Sequence, residues 1–544
     1  MLHALLLALS LVQTPQETPA EARPRLAPQD LRVAADVVGL ELTEAEAELA
    51  LRDVLENLGS FQRLRARGID NSVAPVLSFS PTLLAAAARH PRERNLRPVA
   101  RSLPQPLRPA RLEDLAYADI PTLAALIRSR RLSCLELTEM FLARLERLDP
   151  KLLCVVTLLP ERARAQATAL DAELAEGDWR GILHGIPWGA KDLLAVQGAP
   201  TTWGAEPYRE QVLGLDAAVV ERLDQAGAVL IAKLSLGALA MGDVWYGGTT
   251  KNPWNLEQGS SGSSAGPAAA VAAGCVAFAI GSETCGSILS PASRCGVSAL
   301  RPTFGRVSRR GAMALSWSMG KLGPLCRSLD DAAIVMAAIA GRDPLDEETV
   351  DRSFSDPGPA EVKGLRVGFV ERSFGDEQGE LELLASLEAL GCELAPVQVP
   401  GASAHDLFFV LSAEAAAAFD ELTRSGRDDE LARQGADAWP NIFRASRLIP
   451  AVEYIQANRA RRVLIEEVER LFDEIDVLVH PAREHLVAFN LTGHPSACAP
   501  WKLREDGTPR SVAFSAALYE DARLLALASA WQRAGDFHRV HPDL

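Results

Sequence analysis

The chain has 544 residues, of which 48% are hydrophobic and 23% are charged, and its formal net charge is −15. These values are typical of a folded globular protein and exclude a disordered chain. The acidic balance disfavours nucleic acid as a direct partner, because phosphates would be repelled, and favours a small-molecule substrate. The eight cysteines form no C-x-x-C pair, so we expect small buried side chains, not a metal or disulfide framework.

The chain begins with a short apolar run over residues 4–12. The run has the length of a signal-peptide core, and Ala20-Glu21-Ala22 offers a cleavage pattern, although no Lys or Arg precedes the run. Residues 1–22 are therefore a candidate signal peptide, which would export the protein to the periplasm or the exterior. Without it, a cytoplasmic protein is expected. No later segment is long enough and apolar enough to span a bilayer.

Residues 23–111 are predicted to form a helical extension and a linker. Thr43 and Glu46 make a capping box, and an apolar stripe from Ala47 to Phe61 follows at helical spacing. Five prolines and six arginines lie within residues 91–111, which indicates an extended linker over the main body.

A second capping box, Ser133 with Glu136, predicts a helix that ends at Asp149-Pro150. From there to the C-terminus, short β-type runs alternate with Ala-rich helical runs. Segments 367–370 and 477–479 are examples of the β-type runs. This alternation predicts an α/β protein with a layered sheet.

The densest chemical signal lies between Asn252 and Thr303. A Gly/Ser-rich run over residues 259–266 precedes a predicted strand, residues 276–280, and a second small-residue loop that ends at Ser287. Such loops can aim several backbone N–H groups at one oxyanion. A structural turn is the other interpretation of such a loop, and the P-loop pattern for phosphate is absent from the sequence.

A serine needs a base to become a nucleophile. None of the nine histidines lies in a triad pattern, and the His480 to His485 segment does not fit a metal motif, so we interpret it as structural. Lys191 follows a Gly-punctuated apolar segment. A lysine there normally extends to solvent, but a desolvated lysine would be a neutral base.

Several motifs then occur together along the chain. Together they resemble the amidase signature family over residues 112–540, which implies a catalytic domain at 112–544. Its expected fold is a large mixed β-sheet covered by helices on both faces. The segments that carry the resemblance are Leu183-His184-Gly185-Ile186-Pro187 with Lys191-Asp192, Asn252-Pro253-Trp254-Asn255, Gly286-Ser287-Ile288, Pro291-Ala292, Cys295-Gly296, Arg301-Pro302-Thr303, Arg327-Ser328-Leu329-Asp330-Asp331, Gly341-Arg342-Asp343-Pro344 and Leu491-Thr492-Gly493-His494-Pro495.

The resemblance implies a Ser-Ser-Lys triad and an acyl-enzyme. Lys191 is similar to the family's base, Ser263 to its relay serine with a cis peptide, and Ser287 to its nucleophile. The oxyanion hole would be the backbone N–H groups of Thr284, Cys285, Gly286 and Ser287. Amide hydrolysis with release of ammonia or an amine is expected, and no cofactor or metal.

The sequence departs from the family pattern near Ser287. Glu283 stands where Asp is usual, Cys285 where Gly is usual, and Leu289 where Arg is usual. Ala265 and Pro267 also replace the common Gly and Ser. We expect Cys285 to narrow the oxyanion hole and Leu289 to remove a partner charge from Glu283, unless these groups pair locally with others.

The segment from Leu31 to Asn71 weakly resembles the small subunit of glutamine-dependent tRNA amidotransferase. This resemblance would let it wrap its own catalytic domain, and the alternative is a generic amphipathic helix. Two further functions stay open: a glutaminase like the amidase component of that amidotransferase, and a non-catalytic binding protein on an amidase scaffold. The oligomeric state is not readable from the sequence.

Overall fold

The computed structural model describes residues 26–67, 97–401 and 404–544. The candidate signal peptide, residues 1–22, lies outside these ranges. Within them, no helix has both the length and the apolar character needed to cross a membrane.

The centre of the fold is a mixed sheet of eleven strands in the order β1-β3-β2-β8-β10-β9-β14-β15-β13-β11-β12, and two small hairpins, β4-β5 and β6-β7, accompany it. The strands are β1 (Val155–Leu158), β2 (Pro187–Lys191), β3 (Val229–Leu234), β4 (Val244–Trp245), β5 (Gly248–Thr249), β6 (Lys251–Asn252), β7 (Asn255–Gly259), β8 (Phe278–Glu283), β9 (Ser298–Arg301), β10 (Lys321–Cys326), β11 (Arg366–Phe369), β12 (Glu393–Pro396), β13 (Val477–Pro481), β14 (Ser496–Leu503) and β15 (Pro509–Ser515).

Helices surround the sheet, and short 3-10 turns connect several of them. The α-helices are α1 (Pro28–Val37), α2 (Glu44–Ala66), α3 (Ile120–Arg128), α4 (Cys134–Leu152), α5 (Pro160–Glu176), α6 (Ala218–Gln225), α7 (Ala265–Ala272), α8 (Leu289–Cys295), α9 (Leu329–Ile339), α10 (Glu377–Ala389), α11 (Phe409–Ala418), α12 (Asp420–Arg424), α13 (Trp439–Ser446), α14 (Ala451–Glu474), α15 (Leu486–Thr492) and α16 (Asp521–Gly535).

Most of the central strands are buried along their whole length. Every residue of β2, β3, β9 and β10 is buried, so both faces of the sheet are covered there. β2 runs parallel to β3 and β8, whereas β8, β10, β9 and β14 pair antiparallel in turn. The predicted mixed α/β sheet covered by helices is confirmed.

The predicted end of α4 is wrong by two residues. The helix continues past Pro150 to Leu152 and ends where Leu153 adopts a left-handed conformation. Pro150 lacks an N–H, but in the last turn this loss affects one carbonyl only. Asp149 holds this terminus because its carboxylate accepts hydrogen bonds from the N–H groups of Cys154, 2.8 Å, and Val155, 2.9 Å.

The two N-terminal helices pack on the main body. The Thr43–Glu46 capping box at the start of α2 is confirmed, and α2 contacts α13 and α14. Glu46 forms an ion pair with Arg444 of α13 at 2.7 Å. The rings of Phe61 and Phe409 are 5.0 Å apart, edge to face.

Phe61→Ala is expected to loosen α2 because Phe61 is buried in the interface with α11. A buried Phe→Ala change costs about 3 kcal/mol, so amide hydrogen exchange in α2 should accelerate by about two orders of magnitude. Leu55→Ala on the same helix is the control, since Leu55 is 37% exposed. Equal exchange in the two variants would show that the interface is not held by Phe61.

The described part of the predicted linker contacts the main body through its arginines. Residues 97–109 have no regular secondary structure. Arg101 pairs with Asp330 and Asp356, and Arg108 pairs with Glu136. The arginines of the linker therefore attach it to α4, α9 and the loop that contains Asp356.

Candidate active site

Lys191 is the last residue of β2, and its side chain is fully buried instead of extending to solvent. Its Nζ lies within hydrogen-bond distance of the hydroxyl oxygens of Ser263 at 2.8 Å, Ser264 at 3.0 Å and Ser282 at 2.9 Å. Burial holds the pKa of Lys191 well below its usual value, and the nearby Glu283 carboxylate opposes this shift only in part. The residue is therefore suited to act as a neutral base.

A second buried lysine shows how unusual this environment is. Lys233 of β3 lies 2.6 Å from the Asp192 carboxylate, and both side chains are fully buried. Among the residues described, no carboxylate oxygen lies within 4.0 Å of the Lys191 ammonium. Lys233 forms a structural ion pair with Asp192, whereas the polar neighbours of Lys191 are mainly hydroxyl groups.

Ser263 precedes α7 and follows a cis peptide bond from Gly262. A Cβ atom at position 262 would lie 1.8 Å from the carbonyl oxygen of Gly242, so only glycine fits there. The hydroxyl of Ser264 donates to the carbonyl oxygen of Ser282 at 3.1 Å, which occupies its proton. Of the two neighbouring serines, Ser263 is the one whose proton is available to a base.

The loop with Ser287 follows β8, which extends to Glu283, past the predicted strand end at residue 280, because it pairs with β10 over six residues. Ser287 is half-buried, and its carbonyl oxygen accepts the N–H of Ser264 at 3.0 Å. This bond joins the two serine segments. In the described part of the chain, the N–H groups of residues 284–287 have no protein acceptor, as an oxyanion hole requires.

Glu283, the last residue of β8, holds the loop that carries Ser287 through hydrogen bonds. One carboxylate oxygen accepts from Arg301 at 3.0 Å and Asn490 at 2.7 Å, and the other from the N–H groups of Ile288 at 2.7 Å and Leu289 at 2.9 Å. These groups hold the pKa of Glu283 below its usual value despite full burial. The charge that Leu289 does not provide is thus supplied by Arg301.

Glu283→Gln is expected to cost about 3–5 kcal/mol of stability, because a buried ion pair is broken and the new amide N–H group faces donors in either orientation. The lowered pKa of Glu283 adds a pH dependence: this stability is present above the unfolded-state pKa and is lost as the pH falls through the folded-state pKa. Urea unfolding and loss of activity measure the effect. Glu257→Gln, an exposed change on β7, should leave both near wild type.

Cys285 is the side chain that the sequence places beside the oxyanion-hole groups. It is half-buried and packs against the apolar cluster that contains Leu239 and Met319. Burial raises the pKa of the Cys285 thiol to about 12, so it is a thiol at neutral pH. The other seven cysteines are buried, as expected.

A cavity of about 1050 Å³ opens beside the serine cluster. Ser282 and Thr284 form part of its wall, together with Leu193, Met313 and Lys321. Its volume is sufficient for a small or medium ligand. Thr284 belongs to the loop that carries Ser287, so the cavity lies next to that loop, although Lys191, Ser263 and Ser287 are not part of its wall.

Four residues that contact the site were not predicted from the sequence as site residues: Ser264, Ser282, Arg301 and Asn490. Strand alternation could have indicated Ser282, because successive side chains of a strand point to opposite faces of the sheet. Ser282 therefore points away from the face that holds Glu283. No local pattern identifies Asn490, which lies 207 residues from Glu283. The His480 side chain bonds Ser515 and the Pro481 carbonyl, consistent with its structural interpretation.

Comparison with known proteins adds independent findings. The family model described as Amidase matches residues 136–486. The chain is 34% identical over 476 residues to a glutamyl-tRNA(Gln) amidotransferase subunit from Methylococcus capsulatus, covering 77% of this chain and 97% of that protein.

Solved structures agree with this match. Native peptide amidase from Stenotrophomonas maltophilia has a TM-score of 0.72 and 28% identity, covering 79% of this chain and 99% of that one. A 6-aminohexanoate cyclic dimer hydrolase has a TM-score of 0.69 and 25% identity, with 79% and 99% coverage. The fold and the matched region define an amide hydrolase that acts on carbon–nitrogen bonds. The chain belongs to the amidase family.

Proposed function

We propose that this amide hydrolase acts through Ser287 as nucleophile, Ser263 as proton relay and Lys191 as base. The observation that carries the proposal is the 2.8 Å contact between the Lys191 ammonium nitrogen and the Ser263 hydroxyl, at a lysine whose described neighbours include no carboxylate partner. A desolvated lysine of this kind can be neutral near pH 7 and can accept a proton.

The reaction then proceeds in two halves. As the Ser287 oxygen attacks the amide carbon, its proton passes to Ser263 and the Ser263 proton passes to Lys191. The N–H groups of residues 284–287 bind the oxyanion, and the proton returns to the leaving nitrogen, which departs as ammonia or an amine. Water then attacks the acyl ester by the same relay and releases a carboxylic acid.

The test is a screen of purified full-length protein against a library of amides, with a fluorophosphonate probe in parallel. Hydrolysis and labelling by wild type, both absent in Ser287→Ala, would support the assignment. Labelling of Ser287→Ala and Lys191→Ala to the same extent as wild type would overturn the assignment. The same experiment distinguishes an enzyme from a non-catalytic binding protein on an amidase scaffold. That alternative was suggested by the substitutions around Ser287, and the pairing of Glu283 with Arg301 weakens it because the loop keeps a charged partner.

A glutaminase role within an amidotransferase is the second candidate function. The 34% identity to the amidotransferase subunit from Methylococcus capsulatus favours it. If it holds, ammonia release from glutamine should require a partner protein and charged tRNA. Glutamine-independent hydrolysis of simple amides by the isolated chain would favour the free-standing amidase.

We further propose that residues 23–111 act as an attached extension and residues 112–544 as the catalytic domain. The ion pair between Glu46 and Arg444 and the contact of Phe61 with Phe409 support an extension that covers its own catalytic domain. Export through residues 1–22 is tested by N-terminal sequencing of the mature protein, which should begin after Ala22 if a signal peptide is removed.

A further inference from the structure

We propose that Lys321, in the wall of the 1050 Å³ cavity, binds a carboxylate of the substrate, so that the preferred substrates are amides that also carry a carboxylate. The proposal rests on the proposed amidase function and names its substrate class. It begins from the charges that line the cavity next to the serine cluster.

Among the described residues, four cations line this cavity, and they differ in their partners. Arg309 pairs with Glu348, and Arg310 pairs with Glu221 and with Asp343. Arg342 is exposed at the rim. Lys321 is 3% exposed, and within the described ranges no carboxylate oxygen lies within 4.0 Å of its ammonium. It is the buried cation of this wall that lacks an anion.

The immediate surroundings of Lys321 leave a donor free for a ligand. The ammonium donates to the main-chain carbonyl oxygens of Met319 and, at 3.4 Å, Asn490. The protonated form of Lys321 has three N–H donors, so binding of an anion that protonates it leaves one donor for the ligand beyond these two acceptors. Glu283 is opposite Lys321 in the β8–β10 pairing, but its oxygens are already occupied by four donors.

Charge around Lys321 favours an incoming anion. The groups that influence it are Arg301, Arg461, Glu283 and Cys285, and burial together with the two arginines holds the pKa of Lys321 well below its usual value. Without an anion the neutral amine of Lys321 is favoured, because a buried ammonium without a counter-ion is costly, and a ligand carboxylate would supply that counter-ion. Binding should therefore stabilise the protonated form of Lys321.

The position of Lys321 also limits the substrate. Lys321 begins β10, which is adjacent to β8, and the loop with Ser287 follows β8 directly. The partner of Lys321 across the strands is Glu283, the last residue of β8. Neighbouring strands lie about 4.8 Å apart, so Lys321 is near the start of the loop with Ser287, and a short chain between carboxylate and scissile amide is expected. Monoamides of short dicarboxylic acids have this arrangement.

The test compares the monoamides of succinic, glutaric and adipic acid with their methyl esters, which lack the charge. In wild type, kcat/KM should be higher for at least one acid than for its ester. In Lys321→Met this preference should fall by about tenfold to a hundredfold, the loss expected for a charge-assisted hydrogen bond. Arg342→Met, which removes a cation from the exposed rim, should change the preference by less than about threefold.

A second variant separates recognition from packing. Lys321→Gln keeps N–H donors for the Met319 carbonyl but has no charge, so it should fold and still lose the acid preference. If Lys321→Gln keeps the preference, or if wild type shows none, carboxylate recognition by Lys321 is wrong.

Calorimetric binding of the free dicarboxylates provides an assay without turnover. Ser287→Ala should bind them as wild type does, and Lys321→Gln should bind them about tenfold or more weakly. Equal binding by wild type and Lys321→Gln would overturn the carboxylate proposal while leaving the Ser287 mechanism intact. Continued hydrolysis by Ser287→Ala would overturn that mechanism, and the binding result would still decide the role of Lys321.

Discussion

Ser287→Ala is expected to lower kcat by about 10⁴-fold or more, because it removes the atom that forms the acyl-enzyme. Substrate binding should change little, since the hydroxyl is small and the N–H groups of residues 284–287 remain in place. The measurement is steady-state hydrolysis of the best amide from the screen, with intact-mass detection of the acyl-enzyme during turnover. Wild type should show the added acyl mass, and Ser287→Ala should not.

Ser290→Ala is the matched control for this change. Ser290 lies three residues further along the same segment and is also half-buried. Its N–H bond to the carbonyl oxygen of Gly286 is made by the backbone and survives the substitution. Near-normal turnover is expected. If the two variants lose activity equally, loop geometry and not the Ser287 hydroxyl carries the effect.

Lys191→Met is expected to lower kcat by about 10²- to 10⁴-fold, the usual contribution of general acid–base catalysis. Methionine has a similar length but cannot accept the proton. Because neutral Lys191 is the active form, wild-type activity should fall as the pH drops below the lowered pKa of Lys191 and hold above it. The residual activity of Lys191→Met should lack this acidic limb.

Two serine variants test the path of the proton from Ser287 to Lys191. Ser263→Ala removes the relay and should cost about as much as Lys191→Met. Ser264→Ala should cost less, since the Ser264 hydroxyl already donates to the Ser282 carbonyl oxygen. A greater loss in Ser264→Ala than in Ser263→Ala would mean that Ser263 is the wrong relay.

The departures from the family pattern around Ser287 illustrate what a sequence leaves open. Leu289 in place of a charged residue suggests a weakened loop, yet Glu283 finds Arg301 on β9 and Asn490 on α15. Asn490 lies 207 residues from Glu283, so no spacing rule could identify it, and the pairing of Arg301 with Glu283 depends on how β9 is placed in the sheet. The loop retains its anchor through a different set of residues.

Lys321, in the cavity wall, is a second residue whose role could not be predicted from the sequence. In the sequence it is one lysine near the start of a buried strand, and such a lysine normally pairs with a carboxylate or reaches solvent. Only its surroundings in the fold reveal that Glu283, the nearest acid across the strand pair, is already occupied. Its availability to a ligand is thus a tertiary property.

Features that depend on contiguous residues could be predicted from the amino-acid sequence. They include both capping boxes and the α/β alternation, because short-range hydrogen bonding and backbone conformation depend on neighbours in the chain. The segments that contain Lys191, Ser263 and Ser287 were identified through their resemblance to the amidase signature family. The end of α4 was predicted wrongly, since the Asp149 carboxylate holds a helix terminus that includes Pro150.

Properties that arise from burial and distant contacts became visible only in the folded chain. The lowered pKa of Lys191 requires its complete removal from water, and the hydrogen bond that occupies the Ser264 proton is made to Ser282 on β8. The anchoring of α2 depends on α13, hundreds of residues away. Desolvation and long-range pairing are set by how segments meet in space, and a linear pattern contains little information about that meeting.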